Sequence, residues 1–367
     1  MAVRQAVRLG ISAIWPLLAL AVPLATFALL VSSVSDYYQS TVTNMLIDVI
    51  LVVGIYVFVG NSGVFSFGHI GFMAIGVYSS ALLTIPVAIK HIMLPELPTV
   101  IGQSAVAAPV AALVAALVAG VIALIVAAPV MRLSGLAASI STFAFLVIVQ
   151  IVFSNWDSVT LGNTTMIGVP ADTTVVVALL WTLVAMAVAF AFQNSIVGIR
   201  LRTSREDEVA ARAIGVGVYP ERVVAFVASA MIVAVGGALY AGYVGAFSPS
   251  DFYTTPTIVT AAMLVIGGTN SLAGAVIGAV VVTGLTEILR SAEAGISVAG
   301  TIIHAPTGLT QVGLGLAMLL ILIYRPRGLT GGNEVPNPWH TKFRDSSTRR
   351  SAAAPSTTAP AGGQVKD

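Results

Sequence analysis

The feature that most constrains this chain is a succession of apolar runs of about 20 residues, separated by short polar stretches. An α-helix rises about 1.5 Å per residue, so such a run matches the roughly 30 Å of hydrocarbon in a bilayer. Ten segments read this way, at 11–34, 41–60, 65–89, 105–130, 134–154, 173–192, 223–246, 257–268, 272–289 and 308–324. The chain is 57% hydrophobic and 9% charged, with a mean hydropathy of +0.97. A soluble domain carries about 25% charge, so a water-soluble globule is excluded. The alternating ten-residue pattern of a membrane β-barrel is also missing. The expected fold class is all-α: a polytopic transmembrane helix bundle of about 8–10 spans, one or two of them broken or re-entrant.

The segment 257–268 is too short for a full crossing and ends in the turn Gly267-Gly268-Thr269-Asn270-Ser271, so it reads as a half-helix or re-entrant piece. At the N-terminus, Arg4 and Arg8 precede an apolar run to residue 34. That run exceeds a signal-peptide core of about 7–15 residues and lacks a small-x-small cleavage site, so an uncleaved first helix is expected. An even number of spans puts both termini on one side. With that side cytoplasmic, only Lys90 and Arg290 of the 17 Lys and Arg face outward, as cytoplasmic enrichment of basic residues requires. The organisation that follows is a cytoplasmic N-terminus (1–10), a transmembrane domain (11–325) with a cytoplasmic loop at 194–222, and a cytoplasmic tail (326–367). The tail's Pro, Ser, Thr and Ala predict disorder. Segments 105–128 and 272–284 are rich in small residues, Gly274 and Gly278 among them, which suits tight packing inside one bundle.

Polar groups inside the apolar runs are few. Gly60-Asn61-Ser62-Gly63-Val64-Phe65-Ser66-Phe67-Gly68-His69 and Gly267 through Gly274 each interrupt a helix with Gly, Asn and Ser or Thr. Two readings stand. These are breaks at membrane depth lining a pathway, where irregular backbone must be covered or hydrated, or tight cytoplasmic turns. The first reading makes Asn61, Ser66, His69, Gly267, Gly268 and Asn270 pathway candidates, with Asp48 as an intramembrane acid. Glu287 is a further acid, read as pairing with Arg290 three residues on. There is no nucleotide-binding G-x-x-x-x-G-K-[ST], nucleophile elbow, H-E-x-x-H pair or metal-spaced histidine set, and there is no cysteine. No catalytic residue, metal or cofactor is therefore assigned to the chain. The net charge of +2 offers no nucleic-acid surface.

One internal loop, 198–217, is dense in charge. It holds Arg200, Arg202, Arg205 and Arg212, with Arg222 just beyond, and the acids Glu206, Asp207 and Glu208. Thr203-Ser204-Arg205-Glu206 fits a capping box, and the acids would follow in the first turn of a short helix. Val209, Ala210, Ala213 and Ile214 would form a narrow apolar face, Gly215 a C-terminal stop, and Pro220 the first turn of the next helix.

The loop run G-I-R-L-R-T-S-R-E-D-E-V-A-A-R-A-I-G-V, the Y-P-E-R-V-V-A-F-V-A-S-A after it and Val235-Gly236-Gly237-Ala238-Leu239 resemble the coupling loop of ATP-binding-cassette (ABC) importer permeases. The resemblance is to the LivM-type membrane subunits of branched-chain amino acid importers, a group with similar subunits for urea and amides. It extends in order from about residue 44 to 329, through Ser66-Phe67-Gly68-His69, Arg132-Leu133-Ser134-Gly135, Phe247-Ser248-Pro249, Gly267-Gly268-Thr269-Asn270-Ser271 and Tyr324-Arg325-Pro326-Arg327-Gly328-Leu329. The chain departs from the family's G-L-N-L segment at Gly54-Ile55-Tyr56-Val57. It also lacks a tyrosine at Leu136-Ala137-Ala138-Ser139, and its Thr160-Leu161-Gly162-Asn163-Thr164 only partly matches the family's T-G-G loop.

The resemblance implies a multi-pass protein of the bacterial inner membrane with no chemistry of its own. Its partners would be the lipid bilayer, a second, similar but non-identical (LivH-like) permease subunit, two cytoplasmic ATPase subunits and an extracytoplasmic substrate-binding protein. Contact with the ATPases would fall to Arg205, Glu206, Asp207, Glu208, Ala210, Ala211, Ile214 and Gly215, with Ala210, Ala211 and Gly215 the tightest. Two other classes compete on the residues alone: an ion-gradient-driven secondary transporter, which needs a membrane acid such as Asp48, and a structural or assembly protein.

Overall fold

The computed structural model describes residues 2–334 other than 295, 299–300, 304–305, 307 and 333; for 2–13, 296–298 and 301–303 the backbone alone is described. In chain order the helices are α1 (Ala2–Ser32), α2 (Asp36–Ser62), α3 (His69–Thr84), α4 (Val87–Met93), α5 (Thr99–Gly102), α6 (Ala108–Val130), α7 (Gly135–Asn155) and α8 (Asp157–Thr160). There follow α9 (Val175–Asn194), α10 (Ile196–Glu206), α11 (Glu208–Ala213), α12 (Val218–Val244), a 3₁₀ turn (Pro249–Phe252), α13 (Thr254–Gly267), α14 (Leu272–Ala294) and α15 (Leu309–Tyr324). Nine of the ten apolar segments correspond to one helix each, and 65–89 to the pair α3 and α4. Seven helices among the described residues are long and apolar enough to cross a bilayer, or eight if α3 and α4 count as one bent span.

The chain divides into two compact units, Met1–Ala19 with Val335–Asp367, and Leu20–Glu334. Of the first, only the start of α1 is described. The second is the helix bundle. At its centre α2 is buried almost without interruption from Val42 to Ser62, and α12 packs against α2, α3 and α6. Small residues bring these helices together. A β-carbon on Gly76 would overlap the Ala234 carbonyl oxygen, and one on Gly237 that of Met73, so no larger residue fits the α3–α12 crossing. Ser229 donates to the Gly54 carbonyl (2.7 Å) and Thr182 to that of Leu46 (3.1 Å), tying α12 and α9 to α2. On α6, Ala111, Ala112, Ala115, Ala119, Ala123 and Ala127 are buried while Leu113, Leu117, Val121 and Leu124 are exposed. This pattern, small inside and large outside, suits a helix whose outer face meets lipid.

Three local differences from the sequence reading have physical causes. The segment 65–89 is not one helix. It begins at His69 and turns by 115° between α3 and α4, because Pro86 holds Ile85 extended. Between α14 and α15, Ile296–Val298 and Thr301–Ile303 form a two-stranded antiparallel hairpin, a use of β-branched residues that the helical reading does not anticipate. Finally, the segment after 325 is not loose from its start. Leu329 and Thr330 donate backbone N–H groups to the carbonyls of Ile266 and Gly267 at 2.9 and 3.2 Å. The tail from Val335 onward lies outside the described residues.

Candidate functional site

The charged loop folds as a helical elbow. Ser195 caps α10 through the Gly198 N–H. The expected capping box at Thr203–Glu206 is not formed. Thr203 lies inside α10 and donates to the Ile199 carbonyl, the back-bond a hydroxyl makes in a continuing helix. Asp207 takes the capping role instead, its carboxylate accepting from the N–H groups of Val209 (2.9 Å) and Ala210 (3.0 Å). A carboxylate there also meets the positive end of the helix dipole. The stop is as expected. Gly215 has φ +87°, Val216 N–H reaches the Ala211 carbonyl and Gly215 N–H that of Arg212, which together make a Schellman motif.

Ion pairs fasten the elbow to the bundle. Glu208 accepts from Arg212 and from the buried Arg222 of α12 (2.9 Å), and Arg200 pairs with the buried Glu221 at 3.2 Å. Arg205 reaches furthest. It donates to the Gly60 carbonyl (2.7 Å), to Asn270 Oδ1 (3.0 Å) and to Glu206 (3.1 Å). One guanidinium thus joins α10 to the end of α2 and to the α13–α14 turn.

Outward the elbow presents Val209 and Ile214, 79% and 74% exposed, with Ala210 and Ala213 beside them. The four-residue apolar face exists as read. Ala211 does not belong to an outer surface: it is buried against the protein's own side. Of the acids, Glu206 and Asp207 are exposed, Asp207 while serving as the cap, and Glu208 is half-buried where it holds the two arginines.

The two Gly/Asn interruptions are helix-ending turns. Gly63 closes α2 with φ +71°, and the aliphatic stem of Arg205 lies against it. Gly267 and Gly268 end α13, where Gly268 is covered by Arg327, Gly328 and Thr330. Asn61 donates to the Val57 carbonyl within α2. Ser66 and His69 are buried together, and the His69 ring lies 5.4–6.2 Å from the rings of Phe58, Phe72 and Phe226 with no hydrogen-bond partner on either nitrogen among the described residues. Both line a space of about 10 Å³, too small for a solute.

Asp48 lies elsewhere. It faces a cavity of about 710 Å³ at the other end of the bundle, walled by α2, α12, α13, α14 and α15. Polar residues reach it in stripes: Tyr37, Thr41, Asn44 and Asp48 from α2, and Thr283, Glu287 and Arg290 from α14. Both sets recur every three or four residues, the helical period. That spacing is the signal by which the sequence could have yielded the cavity. Glu287 accepts from the Tyr37 hydroxyl and makes no ion pair with Arg290, contrary to expectation. Tyr240 and Tyr243 complete the wall and are not among the candidates that the sequence suggests.

A bundle of long apolar helices, hollowed from one end by a polar cavity and carrying an exposed apolar elbow at the other, has the build of a multi-pass membrane protein. The chain belongs to the family described as branched-chain amino acid transport system / permease component, whose model matches residues 37–323. It is similar to the high-affinity branched-chain amino acid transport system permease protein LivM of Escherichia coli strain K12, at 27% identity over 322 residues covering 78% of this chain and 68% of the relative. The LivM protein of Salmonella typhimurium is 28% identical over 321 residues with the same coverage.

Proposed function

We propose that this chain is one permease subunit of an ABC importer in a bacterial inner membrane, with the charged loop and both termini in the cytoplasm. Its solute is a branched-chain amino acid, with urea or amides next in order. A second, LivH-like permease subunit completes the pathway, an extracytoplasmic binding protein delivers solute to the cavity end, and two ATPase subunits act on the elbow.

The elbow is the observation that carries this reading. Val209 and Ile214 expose apolar surface on a helix that Glu208 and Arg205 fasten to α12, α2 and the α13–α14 turn. Exposed apolar groups on an extramembranous helix suit a partner's groove, and a rigid mount turns movement of that partner into movement of the bundle. Asp48 in the cavity favours a second reading, an ion-coupled carrier. Reconstitution into liposomes separates the two. Uptake that needs the ATPases, ATP and binding protein, and that survives collapse of proton and sodium gradients, is the expected result. Gradient-driven uptake by this chain alone would overturn the importer reading.

A further inference from the structure

We propose that Asp48 is the positioning residue that receives the ammonium group of an amino acid in transit, at the floor of the 710 Å³ cavity. The proposal rests on the permease reading and assigns a residue to the solute's path.

The carboxylate has an unspent side. Asn44 and Thr283 both donate to Oδ2, each at 3.2 Å, and Oδ1 has no partner among the described residues. The other acids of the cavity also bond through one oxygen each, so depth rather than the free oxygen sets Asp48 apart. Asp251 accepts from the backbone N–H and the hydroxyl of Ser248, and Glu287 takes the Tyr37 hydroxyl. No Lys or Arg pairs with Asp48 among the described residues. Arg290 is the basic group on the wall, and it lies seven residues beyond Thr283 on α14, about 10 Å along the axis.

Depth matters as much as charge. Asp48 is twelve residues into α2, roughly 18 Å from its start, comparable with half of a ~30 Å hydrocarbon layer. An acid at that depth is favourable where it meets water or a cation. Val259, Met263 and Leu314 add aliphatic surface to the same cavity. A free carboxylate oxygen and aliphatic surface within one cavity match a protonated amine attached to a hydrocarbon side chain. The cavity volume falls within the range of about 300–1,000 Å³ usual for small-molecule sites. An inorganic cation would use the carboxylate but not the aliphatic wall.

The test uses the assembled importer with its ATPases and binding protein. Asp48→Asn keeps the shape and both neighbouring hydrogen-bond positions while removing the charge. The expected result is leucine uptake reduced at least 10-fold, with assembly intact and ATP hydrolysis stimulated by loaded binding protein within about 2-fold of the parent. Asp48→Glu should recover part of the uptake. Because the chain has no cysteine, Asp48→Cys in the same complex gives a second readout: a small cationic thiol reagent added from the cavity side should label it. Three results would each overturn the proposal: unchanged uptake in Asp48→Asn, uptake falling only in step with ATP hydrolysis or assembly, or a thiol in Asp48→Cys that is inert. Uptake that becomes insensitive to an ion gradient in Asp48→Asn would assign the carboxylate to an ion and also overturn it. Absence of ATP-driven uptake in the parent complex is a different failure, that of the permease reading itself.

Discussion

The guanidinium of Arg205 satisfies a helix-end carbonyl at Gly60, the side chain of Asn270 and the carboxylate of Glu206, at 2.7, 3.0 and 3.1 Å. Its fork geometry lets one side chain serve acceptors from three segments, which a lysine ammonium on a flexible stem does with less order. The stem is held as well, since a β-carbon on Gly63 would collide with Arg205 Cγ. Charge-assisted hydrogen bonds contribute about 1.5–3 kcal/mol each when buried, and these are partly open to water. Arg205→Ala is therefore expected to destabilise the isolated chain by about 2 kcal/mol, read as a lower melting temperature in detergent, and Arg205→Lys by about half as much. Equal stability of parent and Arg205→Ala would show that the clamp holds nothing.

The two-helix elbow separates mounting from presentation. Glu208 and Ala211 face the bundle, and Val209 and Ile214 face away. An acid at either outward position costs the fold little, because surface changes away from special features stay within about 0.5 kcal/mol. At an apolar interface the same charge is desolvated without a partner and costs several kcal/mol. Val209→Asp with Ile214→Asp should thus leave melting of the chain alone unchanged and reduce recovery of the ATPases with the complex at least 10-fold. Full recovery would move the contact off this face. The C-terminal stop of α11 was legible in the sequence because only glycine takes φ +87° without strain. Its start was not, since Thr203 and Asp207 are both eligible caps and the choice depends on α10 continuing to Glu206, where Arg205 is anchored by two distant segments. The polar stripes of α2 and α14 were visible as residues, but not as walls of one cavity. Each reads as a few tolerated polar groups until its partner helix is in place.

For the whole molecule, the ends of the helices define two faces. Arg205 brings the end of α2 and the α13–α14 turn to the elbow, Tyr219 at the start of α12 donates to the Ala128 carbonyl near the end of α6, and Arg132 stacks over the Tyr219 ring. The α15 exit joins the same face through Leu329 and Thr330. Helices α4 and α5 connect the far ends of α3 and α6, so Lys90 and Ile92 lie on the opposite face, as do Glu287 and Arg290 beyond the middle of α14. Basic residues crowd the elbow face, which by the cytoplasmic preference of Lys and Arg is the inner one. The cysteine-free chain makes this directly measurable. Ile92 and Val209 are 82% and 79% exposed, so a cysteine at either should leave the fold intact. In intact cells a membrane-impermeant maleimide should label Ile92→Cys, and should reach Val209→Cys only after the membrane is opened. The reverse pattern would place the elbow outside, beyond the reach of any ATP-hydrolysing partner, and the coupling role of α11 would fall with it.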